Sequence, residues 1–134
     1  MIDFNYLSFK CPVHSTTTYI AQFTNKSQVY LNKIDDVTGY RAILIAYDDY
    51  YEFLNVELED NYQMLLEQLP EEQRKSFELS QKKWRFFQKN EAEFIQNQWA
   101  KVNYGSASSI SRGSYKCEIV KARLIQILHY RKGI

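Results

Sequence analysis

The sequence predicts a mainly α fold, an antiparallel helical bundle of about three long helices forming a single domain over residues 1–134. Three runs carry this reading. Between Tyr40 and Leu69 the positions Leu44, Tyr47, Tyr51, Leu54, Leu58, Tyr62, Leu65 and Leu69 step by three or four without a gap, the period of one helix face. From Glu71 to Val102 the aromatics Phe77, Trp84, Phe87 or Phe94, and Trp99 recur at steps near three, four or seven, which keeps them along one side of a second helix. From about Ser114 to Arg131, Cys117, Val120, Leu124, Ile127 and Leu128 form a third apolar face.

The composition suits such a domain. A chain of 134 residues that is 45% hydrophobic and 25% charged is globular in type and long enough to bury roughly two-thirds of its unfolded surface. A formal charge of +1 gives no electrostatic footprint for a nucleic-acid or membrane-surface binder. No apolar run approaches the roughly 18 residues of a membrane span. Met1 to Lys10 lacks the basic-then-apolar order of a secretion signal. Two locations follow: the cytoplasm, if Met1 is the native start, or the periplasm or exterior, if a signal has been removed. Eleven tyrosines suit core edges or a recognition surface, because each pairs an apolar body with a polar tip.

Taken in order, residues 1–39 form an N-terminal extension to a core at 40–134. Phe4, Tyr6, Leu7 and Phe9, followed by Cys11 and Pro12, suit a tether across the domain. From Ser15 to Ile34, β-branched and aromatic residues flank Thr24-Asn25-Lys26-Ser27. A small β-hairpin is the preferred reading; a short helix with Ile20, Phe23, Ser27, Tyr30 and Ile34 on one side is the alternative, and both stand at this point. Asp35-Asp36 and Thr38-Gly39 punctuate the chain before the first long helix. Pro70 stops that helix and opens the next, whose first turn places Glu71 and Glu72 at the positive end of the dipole. So short a connection favours an antiparallel hairpin. Asn103 to Gly113 is rich in Gly and Ser and reads as a loop; it lacks the Gly-Lys-Ser/Thr ending of a phosphate cradle.

Charge is segregated. Between Ala42 and Gln73 lie nine acids, Asp48, Asp49, Glu52, Glu57, Glu59, Asp60, Glu67, Glu71 and Glu72, with no Lys or Arg. From Arg74 to Lys89 lie Arg74, Lys75, Lys82, Lys83, Arg85 and Lys89 against Glu78 alone. Either the two helices pair side by side, or part of the acidic face points outward to steer a basic partner. No catalytic or metal constellation emerges. His14 and His129 have no ligand-spaced neighbour, Asp48, Asp49 and Glu52 lack EF-hand spacing, and no Ser carries a nucleophile-elbow pattern. Neither a cofactor nor catalysis is expected. The two cysteines, Cys11 and Cys117, could close a long loop contributing on the order of 4 to 5 kcal/mol; from the count alone, a bridge and two free thiols stand equally.

The residues Glu57-Leu58 and Tyr62, then Gln81, Trp84 and Phe87, then Gly105-Ser106, Cys117 and Arg123 resemble in order and spacing the LprI-like lysozyme-inhibitor family of small bacterial envelope proteins. The family's two further cysteines are absent, with Ala46 and Ala92 near their places. The resemblance implies a helical, periplasmic or secreted binding protein without catalysis, with Cys11–Cys117 as the remaining disulfide. Lysozymes are usually basic, so the resemblance directs attention to Asp48, Asp49, Glu52, Glu59 and Asp60 for steering and to Tyr47, Tyr50 or Tyr51 for anchoring. An immunity protein for another secreted toxin or hydrolase, and a structural envelope protein, are the competing readings.

Overall fold

Four helices make up the architecture, in a computed structural model that describes residues 12–100, 105 and 107–131, with side chains from residue 18 onward. They are α1 (Pro12–Asp36), α2 (Tyr40–Gln68), α3 (Glu71–Gln98) and α4 (Ala107–Arg131). Contacts across the seams fix their directions. Tyr62 meets Phe77, Glu59 meets Arg85 and Tyr51 meets Gln88, so α2 and α3 form the expected antiparallel hairpin. Tyr47 lies against Gly113 and Cys117, and Asn61 against Arg131, so α4 runs parallel to α2. These two helices are the central pair, and α1 and α3 flank them without touching each other among the described residues.

The core is the α2–α4 seam. Leu54, Leu58, Val120, Leu124 and Ile127 are wholly buried, each contributing roughly 1.5 to 3 kcal/mol against exposure. Gly113 permits the close approach at one end: a Cβ there would stand 3.2 Å from Cβ of Tyr47. At the turn, Leu69 N–H returns to the Leu65 carbonyl, and Arg74 donates to the carbonyls of Leu66 and Leu69 at 3.2 and 3.0 Å. A cation there caps the negative end of α2.

Two expectations are corrected. Residues 15–38 hold no hairpin, and the bundle has four helices where three were expected. Helix α1 is the alternative reading of that segment, much extended. Phe23 and Tyr30 stack on Phe53 of α2 at 6.2 and 4.4 Å, Ser27 is buried between them, and Lys26 pairs with Glu57 at 3.3 Å. The β-branched residues that suggested strands are overridden by this aromatic seam. The Gly/Ser-rich stretch is also not a loop to its end, since α4 begins at Ala107. Ser108 donates through its backbone N–H and Oγ to the Gly105 carbonyl, at 3.2 and 2.7 Å, and Gly105 has φ +74°, a conformation glycine adopts without a Cβ penalty. Of the proposed tether over residues 1–14, the part up to residue 11 lies outside the described residues, and α1 begins at Pro12.

Candidate functional site

Four of the resemblance residues, Tyr62, Gln81, Trp84 and Arg123, assemble into one cluster where α2, α3 and α4 meet. Arg123, 7% exposed, reaches from α4 into α3. It donates to Gln81 Oε1 at 2.9 Å, to Ser80 Oγ at 3.2 Å and, within α4, to Gln126 Oε1 at 2.6 Å. Its guanidinium lies 5.7 Å from the Phe77 ring and 6.0 Å from the Trp84 ring, and Phe77 carries the contact on to Tyr62. No carboxylate pairs with Arg123 among the described residues, and burial holds it below the usual arginine range. Neutral acceptors and aromatic faces therefore stabilise the cation. Gln81, Trp84, Tyr62 and Arg123 are a clamp that sets the spacing of three helices. Glu57 and Leu58 belong to the α1–α2 and α2–α4 seams, and Ser106 lies outside the described residues.

Beyond the clamp, α3 stands off. It returns to α4 only near Ile95 and Trp99, where Trp99 stacks on Tyr115 at 4.7 Å and its carbonyl accepts from Arg112. Between these two pins an open groove of about 740 Å³ separates the helices, with Phe87, Glu91 and Phe94 on one wall and Tyr115, Glu118 and Ile119 on the other. Phe87 and Phe94, the alternative positions in the expected aromatic stripe, are 49% and 56% exposed. The sequence marked the α3 wall through its aromatic stripe. It did not mark Tyr115, Glu118 and Ile119, because their partner wall exists only once the helices pack.

The acids of α2 stand elsewhere. Asp48, Asp49, Glu52, Glu59 and Asp60 are all exposed, on the half of the helix opposite Leu54 and Leu58. Among the described residues only Glu59 of these acids has an ion pair, to Arg85 of α3 at 2.8 Å, and so exposed a pair contributes at most about 1 kcal/mol. Exposed Ile45 and Val56 lie among these carboxylates. The three tyrosines face inward. Tyr50 is 4% exposed and part of the core, so it cannot anchor a partner. Tyr47 lies under α4, and Tyr51 lies beneath the Lys116 ammonium at 4.9 Å.

Cys117 is buried and has no disulfide partner among the described residues; its thiol lies 3.7 Å from the Tyr47 carbonyl, and burial pushes its pKa up to about 12. Its expected bridge partner, Cys11, lies outside the described residues. Among the described residues no three His, Cys, Asp or Glu side chains come together as a metal site, and no helix is long and apolar enough to cross a membrane.

No curated protein and no solved structure matches the chain. A family model described as lysozyme inhibitor LprI matches residues 35–127, a span that holds α2, α3 and α4 as far as Ile127 and therefore the whole clamp. The chain, with more than half its length under that match, belongs to the LprI lysozyme inhibitor family.

Proposed function

We propose that this protein is a non-catalytic binding protein of the bacterial envelope that engages a basic hydrolase of the lysozyme type through the outer face of α2. One observation carries the choice of face: Asp48, Asp49, Glu52 and Asp60 are exposed and have no cationic partner among the described residues. Like charges three or four apart weaken a helix by a few tenths of a kcal/mol each, so an unneutralised row is a liability unless a partner supplies the counter-charge. Ile45 and Val56 provide apolar contacts within the acidic field, which attracts and orients a cationic partner before contact.

Calorimetric titration against a c-type lysozyme, at low and physiological salt with cell-wall lysis followed in parallel, tests this. One-to-one binding that weakens as salt rises and that suppresses lysis is expected. Neutralising Asp48, Asp49, Glu52 and Asp60 to their amides should weaken binding at least about tenfold while leaving thermal stability unchanged or slightly raised. Equal affinity for the neutralised variant, or no binding at either salt, would remove the proposal.

A further inference from the structure

We infer that the groove between α3 and α4 is a second docking site, distinct from the acidic face of α2, and that it receives a basic amphipathic segment of a partner protein. Its length argues for a chain segment over a small ligand. From Trp84 to Trp99 the α3 wall extends roughly 22 Å at 1.5 Å per residue, the span of about four helical turns. Phe87, Glu91 and Phe94 are spaced by four and three on α3, and Tyr115, Glu118 and Ile119 by three and one on α4, so each helix gives the groove one continuous face. Two neighbouring helices that leave aromatic rings half exposed on facing walls present the kind of patch that marks an interaction site on a soluble domain.

Charge selects the occupant. Glu91 and Glu118 place one carboxylate on each wall. Among the described lining residues the one cation, Arg123, is buried and already engaged by Gln81, Gln126 and Ser80. An apolar floor between two carboxylate walls fits a helix with aliphatic anchors along one face and Lys or Arg on its flanks. A membrane surface fits poorly, because interfacial faces carry Lys and Arg at the rim and acids there would be repelled by anionic headgroups. This site does not depend on the reading of α2.

The probe is a fluorescein-labelled peptide of about four helical turns, leucine on one face and lysine on the other, followed by anisotropy at physiological ionic strength. Control peptides carry glutamate for lysine or serine for leucine. Saturable binding of the lysine–leucine peptide alone is expected. Phe94→Ser should weaken it about tenfold or more. Glu91→Gln with Glu118→Gln should weaken it about three- to tenfold and flatten its salt dependence. Amide replacement of Asp48, Asp49 and Glu52 on α2 should leave it within about twofold. The double carboxylate variant keeps the test decisive should Phe94→Ser disturb folding. Any of four results would overturn the inference: no saturable binding, equal binding of the glutamate peptide, a larger loss from the α2 variant than from the groove variants, or Phe94-dependent capture of phosphatidylglycerol vesicles or of a second copy of the chain in place of the peptide.

Discussion

Helices α2 and α3 meet at Leu69 and Pro70 and each carries an apolar stripe, yet among the described residues only that of α2 is covered along its length. Its stripe is buried from Ala46 to Leu66 by α1 on one side and α4 on the other. The stripe of α3 is pinned at the Arg123 clamp and again at Ile95 and Trp99, and stands open between. Periodicity shows that a helix has an apolar face. Whether that face is core or binding surface depends on what stands opposite, and α4 can follow one neighbour closely while leaving the other.

Four measurements test this contrast. The largest effect is expected from Leu58→Ala on α2, where a side chain with no exposure leaves a cavity among packed neighbours; about 3 kcal/mol should be lost in urea unfolding. A loss below about 1 kcal/mol would show that the α2 seam is no tighter than α3. Next is Arg123→Ala, which leaves Gln81, Ser80 and Gln126 without their shared donor; about 2 kcal/mol should go, with the near-ultraviolet dichroism of Trp84 changing alongside. Unaltered dichroism would mean that the clamp does not position the α3 wall.

The third outcome concerns pH. Burial raises Cys117 from 9.0 to about 12 and Tyr50 from 10.0 to about 12. Above about pH 9 the unfolded chain releases protons that the folded chain keeps, so folding stability should fall as pH rises from about 9 to 12. The slope is on the order of 1 kcal/mol per pH unit for each group. In reduced protein, Cys117→Ala should make that decline shallower, and an unchanged slope would place the thiol in contact with water. The smallest outcome is Phe94→Ala on the open part of α3, which should shift stability by no more than about 0.5 kcal/mol. A larger loss would show that the distal half of α3 is supported by contacts through Phe94.

Much of this was legible in the sequence. The α2 stripe and the Pro70 stop gave the hairpin its boundaries, because apolar period and proline stereochemistry act locally. Helix α1 was harder: its β-branched residues favour strands in isolation, and only Phe53 and Tyr50 of α2, about 20 to 30 positions away in sequence, make a helix the better solution. The start of α4 was hidden for the opposite reason. Gly113 and Ser108 carry a loop composition, yet the missing Cβ of Gly113 admits Tyr47, and the Ser108 hydroxyl secures the helix start. The acids of α2 were recognisable as a block, but whether they faced α3 or solvent was not, because that depends on how the helices pack. Among the described residues Glu59 reaches Arg85, while Asp48, Asp49, Glu52 and Asp60 are exposed. Tyr50 was misplaced as a surface anchor because it sits four residues before Leu54, on the core face.

The chain has two tryptophans, Trp84 and Trp99, and both line the groove. Its intrinsic emission is therefore local to one surface. Excited at the red edge of the tryptophan band, the folded protein reports on the space between α3 and α4 and is nearly blind to the acidic face of α2. A partner seated in the groove would shift the emission to shorter wavelength by displacing water from both indoles, and would shield them from iodide. A partner held only on α2 would leave spectrum and quenching alike. Unlabelled protein thus carries its own optical means of telling apart two modes of attachment that a binding isotherm would merge.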